Sequence, residues 1–220
     1  MVSPFFNLLS NQMPATAALE RNDKEVAVLK AATSVFLTHG FSAATTDMIQ
    51  REAGVSKATM YACFPNKEAL FAAVMEHECA SMTATFRAMR TSPGNIAKTL
   101  TDLGMSYLDI VLSPTALALY RVVMAEAPRF PDLGRRFFLA GLKVVTSMLA
   151  ERLNVAAQAG EINVQSVGID AAATLFLSMV RAQAQMECLT HPETRPSAAQ
   201  KDHWVQIAVT TFLDAFGDRK

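Results

Sequence analysis

Residues 40–68 read GFSAATTDMIQREAGVSKATMYACFPNKE, and this stretch decides the fold of the N-terminal part of the chain. Two short helices are predicted in it, one over Thr45–Ala53 and one beginning at Ser56 and ending near Cys63. Gly54 permits the left-handed backbone that a tight turn between two helices requires. Ser56 is a favourable N-cap for the second helix. This is helix-turn-helix construction, in which the second helix lies in the major groove of DNA.

The second helix carries polar side chains where a DNA-reading helix needs them. Met60 and Phe64 are four residues apart, so both can face inward toward the first helix. Lys67, at the start of the following helix, adds a cation near free N–H groups, which together suit a phosphate. The remaining hydrogen-bond donors are Ser56, Lys57, Thr59 and Tyr61. Donors of this kind anchor DNA, since most protein–DNA hydrogen bonds go to the phosphate backbone.

Helical periodicity extends on both sides of this stretch. Asp23–His39 has one apolar face and is ended by Gly40, while Asn66 caps a long helix that reaches about Arg90. The other predicted helices are roughly Ile96–Leu112, Pro114–Ala127, Asp132–Ala159, Val167–Thr190 and Ala198–Phe216. Strand signals are nearly absent. The sequence therefore predicts an all-α protein of about nine helices, with a three-helix module followed by a larger helical body.

We divide the chain into three regions by these features. Residues 1–20 are expected to form a flexible arm, residues 21–68 the helix-turn-helix domain, and residues 69–220 the helical body. The uncharged N-terminal segment lacks the basic residue and the unbroken apolar run of a signal peptide. The most apolar internal runs are about half the roughly 20 residues that a membrane-crossing helix needs. We expect no membrane segment.

Composition and charge narrow the classes of function. The chain has 220 residues, of which 51% are hydrophobic and 18% charged, so it is long and apolar enough to fold around a core. Lys plus Arg number 20, as do Asp plus Glu. This balance excludes a generic polybasic coat and predicts weak non-specific DNA binding with a modest salt dependence.

The reactive residue types give no sign of catalysis or metal binding. Three cysteines without a C-x-x-C pair suit a reducing cytoplasm rather than a secreted disulfide scaffold. His77 and Cys79 lie two apart on a predicted helix and do not face each other, so no metal site is expected. No phosphate-binding loop, nucleophile elbow or zinc motif occurs, and we expect no cofactor. Cys63 is either a small packing residue, which we favour, or a thiol switch.

The ordered motifs of residues 28–74 resemble the DNA-binding domain of TetR-family transcriptional regulators. They are Gly40-Phe41, Ala44-Thr45-Thr46, Ala53-Gly54-Val55-Ser56, Thr59-x-Tyr61-x-x-Phe64 and Lys67-Glu68-x-Leu70-Phe71. In the body, residues 125–133 (AEAPRFPDL) resemble a stretch of AefR-like and AcrR-like regulators. The resemblance implies a dimeric helical repressor with an N-terminal DNA-binding domain and a C-terminal effector-binding domain.

The same resemblance implies roles for individual residues. Thr46 would bind phosphate at the N-terminus of its helix, and Tyr61 and Lys67 would also contact phosphates. Three residues at the start of the reading helix would meet base edges or adjacent phosphates; they are Lys57, Ala58 and Thr59, and Ser56 before them is the capping donor of the DNA-binding surface. The chain departs from the family at Ala62 and Cys63, where larger polar or aromatic residues are common. More of the anchoring would then fall to Thr46, Tyr61 and Lys67.

Two further features concern the helical body. Methionines spaced by seven residues and scattered aromatic residues are either ordinary core, which we favour for each residue taken singly, or the wall of an adaptable ligand pocket. The candidate ligand contacts are Met82, Phe86, Tyr107, Tyr120, Met124, Phe138, Phe176, Met179 and Gln183. The helices over 167–190 and 198–216 are apolar over a wide arc. Such helices need two partners, and we expect a homodimer built on a four-helix interface.

The combined hypothesis is a cytoplasmic transcriptional repressor that binds a palindromic double-stranded DNA operator. A small apolar or amphipathic effector would release it. A small-molecule-binding protein with a weakened DNA module is one alternative, favoured by Ala62 and Cys63. A helical enzyme is a more distant alternative, because the sequence contains no catalytic constellation.

Overall fold

The computed structural model describes residues 15–89 and 94–217, with side chains from residue 23 onward except Thr85. This part of the chain forms ten α-helices and contains one isolated bridge between Ile162 and Gly217. The helices are α1 (Ala15–Ala43), α2 (Thr46–Ala53), α3 (Lys57–Cys63), α4 (Lys67–Ala88), α5 (Ile96–Val111), α6 (Pro114–Glu126), α7 (Pro131–Ala140), α8 (Leu142–Gln158), α9 (Ile169–Thr190) and α10 (Ala198–Phe216). The prediction of an all-α fold is confirmed.

Two helices differ from the prediction. The single helix expected over 132–159 is divided into α7 and α8 at Gly141, whose ψ of −90° is not helical. A Cβ at this glycine would lie 3.2 Å from the Phe137 carbonyl oxygen and 3.5 Å from the Cys79 sulfur, so α4 packs closely against the break. At the N-terminus, residues 15–20 of the expected arm belong to α1. Residues 1–14 of that arm lie outside the described residues.

Side-chain caps explain where most helices begin. Six helices start after a residue whose side-chain oxygen accepts a hydrogen bond from a backbone N–H of the first turn. These residues are Thr45, Ser56, Asn66, Asn95, Ser113 and Ser197. A cap of this kind stabilises a helix by about 1 kcal/mol. The two short helices of the N-terminal module, α2 and α3, both have one.

The described residues form two hydrophobic cores. The first joins α1 to α4 and contains the rings of Phe36, Phe41 and Phe71, whose centroids lie 4.9–5.8 Å apart. It also takes Leu119 and Val123 from α6. The second core is formed mainly by α5, α8, α9 and α10. Helix α4 contributes to both cores, so the helix-turn-helix module is packed onto the body through shared side chains.

By length and composition alone, residues Asp23–Ala43 of α1 could cross a membrane, as could α5 and α6 counted as one span bent by 65°. The apolar residues that give this segment of α1 its hydropathy include Val28, Val35 and Phe36, which are buried in the first core. A core helix meets the same criterion as a membrane span. The composition is therefore weak support for a membrane segment.

Candidate nucleic-acid interface and ligand cavity

The turn between α2 and α3 fixes the orientation of the reading helix. Gly54 has φ 65° and ψ 29°, in the left-handed region. The Gly54 N–H donates to the Arg51 carbonyl and the Val55 N–H to the Gln50 carbonyl, each at 3.3 Å. This pattern of a left-handed residue with two reversed hydrogen bonds is a Schellman motif. It closes α2 and directs the chain at once into α3.

The start of α3 presents a small polar surface to solvent. Ser56 Oγ accepts a hydrogen bond from the Thr59 N–H at 3.1 Å, and the two hydroxyl oxygens are 2.8 Å apart. Lys57 and Ala58, in the first turn, are exposed. Met60 is buried in the first core on the opposite side of the helix. One face of α3 thus anchors the helix while the other offers hydroxyl groups and a cation.

Thr46 and Tyr61 lie together on the same surface. The Thr46 hydroxyl oxygen is 3.4 Å from the Tyr61 hydroxyl oxygen, although 14 residues separate them in sequence. Thr46 is the first residue of α2, where backbone N–H groups lack helical partners. The structure therefore brings together two of the predicted phosphate contacts beside a helix N-terminus.

Lys57 is held only loosely by the protein. Its ammonium lies 3.4 Å from an Asp47 carboxylate oxygen, and both side chains are well exposed to solvent. Exposed pairs of this kind contribute at most about 1 kcal/mol. A DNA phosphate or a base edge can therefore compete with Asp47 for the ammonium.

Lys67 makes contacts that the sequence did not predict. Its ammonium donates to the carbonyl oxygens of Phe41 at 2.9 Å and Ala44 at 3.0 Å, and a third carbonyl, that of Ser42, is 3.4 Å away. It also lies 4.6 Å from the centre of the Phe41 ring. These carbonyls end α1, where the chain leaves the helix and begins α2. Lys67 thus fastens the α1–α2 junction, and its predicted phosphate contact stays a prediction.

The body contacts the α1–α2 junction through two residues that sequence reasoning did not select. The Ser42 N–H donates to a Glu126 carboxylate oxygen at 3.0 Å. The Phe130 ring packs edge-on against Phe41 with centroids 5.0 Å apart. Both residues belong to the 125–133 stretch singled out above for its resemblance alone. Its position in the sequence could not reveal which surface it faces.

A cavity of about 90 Å³ lies in the body between α4, α5, α6, α7, α8 and α9. Three of the predicted ligand contacts line it, namely Met82, Tyr107 and Tyr120. The structure does not bring the other six to this cavity. Phe86 and Phe176 are buried in the second core and Met179 packs against it, while Met124, Phe138 and Gln183 are exposed. Phe137 and Gln185 line the cavity, close in sequence to Phe138 and Gln183.

Burial controls protonation in the cavity wall. It raises the pKa of the Tyr107 phenol, against a smaller opposing effect of the Arg181 charge and a hydrogen bond with Arg181. Burial also raises the pKa of the Cys79 thiol to about 11, with further contributions from Glu78 and Glu76. Both groups are therefore neutral at pH 7, so the Tyr107 hydroxyl can donate a hydrogen bond.

These thiol properties predict selective alkylation. Cys79 and Cys188 are buried, and burial raises the pKa of both thiols, whereas Cys63 is partly exposed. Because the thiolate is the reactive form, iodoacetamide at pH 8 should modify Cys63 readily and the other two only after unfolding in urea. Peptide mass spectrometry measures this. Rapid labelling of Cys79 in the folded protein would contradict it, and Cys63→Ser should abolish the fast reaction.

A larger open groove of about 620 Å³ lies between α4, α5 and α8. Two of its charged residues have structural partners. Arg152 donates to the carbonyls of Phe86 at 3.3 Å and Met89 at 3.2 Å. Glu161 accepts from the N–H of Ile96 at 2.8 Å. These bonds attach Arg152 and Glu161 to the chain segments on either side of residues 90–93. The charged groups therefore hold the fold together at this groove.

Helices α9 and α10 leave an apolar face open to solvent. Leu175 is 46% exposed, Met186 61% and Ile207 53%. On α9 the exposed positions recur with helical spacing at Ala171, Leu175, Ser178, Ala182 and Met186. A contiguous apolar stripe of this kind is typical of a surface that binds another protein chain.

Two family models match the chain. Residues 28–74 match the model described as bacterial regulatory proteins, tetR family, and residues 98–218 match that of the AefR-like transcriptional repressor, C-terminal domain. The second match alone spans more than half of the chain. The family and the fold are those of transcriptional regulators rather than of enzymes.

Similar proteins agree with these models. A flavonoid-responsive regulator, FrrA, has a solved structure with TM-score 0.75 and 32% identity, covering 90% of this chain and 100% of its own. A TetR-family regulator from Mesorhizobium loti shares the fold with TM-score 0.78 and 24% identity, covering 90% of this chain and 98% of its own. The transcriptional activator FasR of Mycolicibacterium smegmatis is 36% identical over 78 residues, which are 35% of this chain. That match covers about a third (36%) of FasR.

Proposed function

Since the chain belongs to the tetR family of bacterial regulatory proteins, and so is a DNA-binding transcriptional regulator, we propose that it acts as a repressor. In this proposal it binds a palindromic operator as a homodimer and leaves the operator when a small apolar or amphipathic molecule enters the body. It acts in the cytoplasm, where it meets DNA.

The exposed start of α3 is the observation that carries the proposal for DNA binding. Ser56, Lys57 and Thr59 form its outer polar surface, and the paired hydroxyls of Thr46 and Tyr61 lie next to it. A helix that is buried on one side and polar on the other is suited to enter the major groove. The hydroxyl pair is suited to a phosphate at the groove edge.

The homodimer is proposed on the open face of α9 and α10. Leu175 and Met186 are exposed on α9, and Ile207 is exposed on α10. Two such helices from each chain would bury one another as a four-helix interface with two-fold symmetry. The symmetry would set two copies of α3 at the 34–36 Å spacing of successive major grooves.

Helix α6 supports a response to a ligand, because it reaches both the cavity and the DNA-binding module. Tyr120, in the middle of α6, lines the cavity, and Glu126 at the C-terminal end of α6 accepts from the Ser42 N–H at 3.0 Å. A ligand that moves α6 would therefore move the α1–α2 junction. If the junction has one arrangement without ligand and another with ligand, the two copies of α3 in a dimer would be held at different distances. Ligand binding would then be linked to release of the operator. The description of FrrA as flavonoid-responsive supports an effector of small-molecule size.

Footprinting tests the function directly. The purified protein should protect a palindrome in promoter fragments beside its own gene, and transcription in a reconstituted assay should fall when it is added. No protection at low salt would favour the alternative, a small-molecule-binding protein with a weakened DNA module. Protection with increased transcription would identify an activator and overturn the proposed repression.

The positions on α3 predict two kinds of DNA-binding defect. Tyr61→Phe removes a hydroxyl expected at phosphate, so it should weaken binding to all sequences by a similar factor of about three to ten, as for the loss of one hydrogen bond. Thr59→Val should change the preference among operator variants, because Thr59 is expected at base edges. Fluorescence anisotropy with an operator series measures both effects. Equal losses from the two substitutions across the series would refute this division of roles.

A further inference from the structure

The cavity in the body has an electrostatic character that points to a specific class of ligand. Its wall contains the guanidinium of Arg181 and no aspartate or glutamate. None of the salt bridges between described residues involves Arg181. Its partner in the wall is the Tyr107 hydroxyl, which is neutral at pH 7. A positive charge thus faces the cavity without an anion from the wall to balance it.

The two acidic residues whose charges act on Cys79, in the cavity wall, have other partners. Glu76 forms a salt bridge with Arg136 at 3.2 Å, and Glu78 accepts from the Thr33 hydroxyl at 3.5 Å. Of the other polar groups in the wall, the Thr83 hydroxyl donates to the Cys79 carbonyl at 2.9 Å. None of these three side chains is paired with the Arg181 guanidinium. Arg181 is half-buried, and no acidic side chain of the cavity wall pairs with it.

Gln185 adds a second polar group beside Arg181. It lies one helical turn further along α9 and is only 8% exposed. Its amide has no hydrogen-bond partner among the described residues, although it borders the cavity. The rest of the wall is largely apolar, including Ile110, Val111, Leu119, Phe137 and Val145. The wall of the cavity therefore combines a cation and hydrogen-bond donors with a largely apolar remainder.

We propose that the effector is a small carboxylic acid whose carboxylate pairs with Arg181 and hydrogen-bonds to Tyr107 and Gln185. The regulatory role of this acid rests on the proposed function. Binding of the acid to the cavity does not depend on DNA binding. Guanidinium and carboxylate match in geometry and can form two parallel hydrogen bonds. The acid's hydrocarbon part lies among the apolar residues. With about 90 Å³ available, it is one small ring or a short chain, unless the flexible Met82 side chain moves.

Matched acids and amides test this proposal on the full-length protein. Benzoate and octanoate are titrated by isothermal calorimetry beside benzamide and octanamide, which have the same shapes without the charge. We expect at least one acid to bind at least tenfold more tightly than its amide. Equal affinity within both pairs, tighter binding of the amides, or no binding of either acid would overturn the proposal.

Variants locate the charge that is responsible. Arg181→Met keeps an unbranched side chain and should abolish the difference between acid and amide. Arg121→Met removes an equal charge from an exposed position on α6, whose guanidinium donates to the Cys188 carbonyl, and should retain the difference. Circular dichroism confirms folding, and Gln185→Leu gives a second variant that should weaken acid binding. Retained discrimination in a folded Arg181→Met protein would also overturn the proposal.

Operator binding measured without any added acid distinguishes a failure of the carboxylate proposal from a failure of the DNA-binding proposal. Wild-type protein that binds its operator but neither acid would refute the carboxylate ligand and leave the DNA-binding proposal intact. Protein that binds an acid but no operator would refute the DNA-binding proposal alone.

Discussion

Replacing Leu175 with arginine is expected to convert the proposed dimer into monomers and to lower operator affinity by a factor of about 100 or more. Leu175 lies in the middle of the exposed stripe on α9, with Ala171 and Ser178 on either side. An arginine on each chain would set like charges against apolar partners across a two-fold axis, where they cannot be solvated. Two linked reading helices gain 10²–10⁴ in affinity over one, and the monomer loses that gain.

Light scattering after size exclusion measures the mass, and anisotropy with a full palindrome and with a half-site measures the affinity. Val155→Arg is the matched control, because Val155 is 62% exposed on α8 and lies outside the stripe. It should leave both mass and affinity unchanged. A dimeric Leu175→Arg protein would show that the subunits associate through another surface.

The sequence predicted the N-terminal module well because its signals are local. A glycine that needs positive φ and a serine three residues before the N–H that it caps act within one turn of chain. Gly54 and Ser56 therefore have the conformations that were expected. The all-helical fold likewise follows from helical periodicity, which is counted along the chain.

The cavity was less predictable because it depends on the rotation of each helix and on contacts between distant segments. Adjacent helical residues point about 100° apart, so a one-residue error exchanges Phe137, in the wall, for Phe138, at the surface. At Gly141, where the predicted helix is divided, the backbone lies close to Cys79, 62 residues earlier in the chain. Arg181 has no local motif that would mark it. Only the packed structure places it opposite Tyr107.

The position of Lys67 also depends on distant contacts, and its replacement by methionine is expected to reduce stability and DNA binding together. The ammonium donates to the Phe41 and Ala44 carbonyls, about 25 residues earlier in the chain, and lies over the Phe41 ring. Hydrogen bonds from a charged group contribute about 1.5–3 kcal/mol, so urea unfolding should show a loss in that range. Methionine has a similar length and fills the same space, so the loss reports the ammonium itself.

The salt dependence of operator binding distinguishes this fastening role from the phosphate contact that the sequence predicted. If Lys67 holds the α1–α2 junction, Lys67→Met should weaken binding to all operators while the slope of log affinity against log salt stays unchanged. If Lys67 contacts a phosphate, the slope should decrease by about 1 and the stability should remain. Lys57→Met is the comparison, since within the described part of the chain the Lys57 ammonium pairs only with the exposed Asp47. That variant should lose slope and keep its stability within about 0.5 kcal/mol. The two lysines therefore make opposite predictions for the same pair of measurements, and an identical result for both would refute the assignment of Lys67 to the junction.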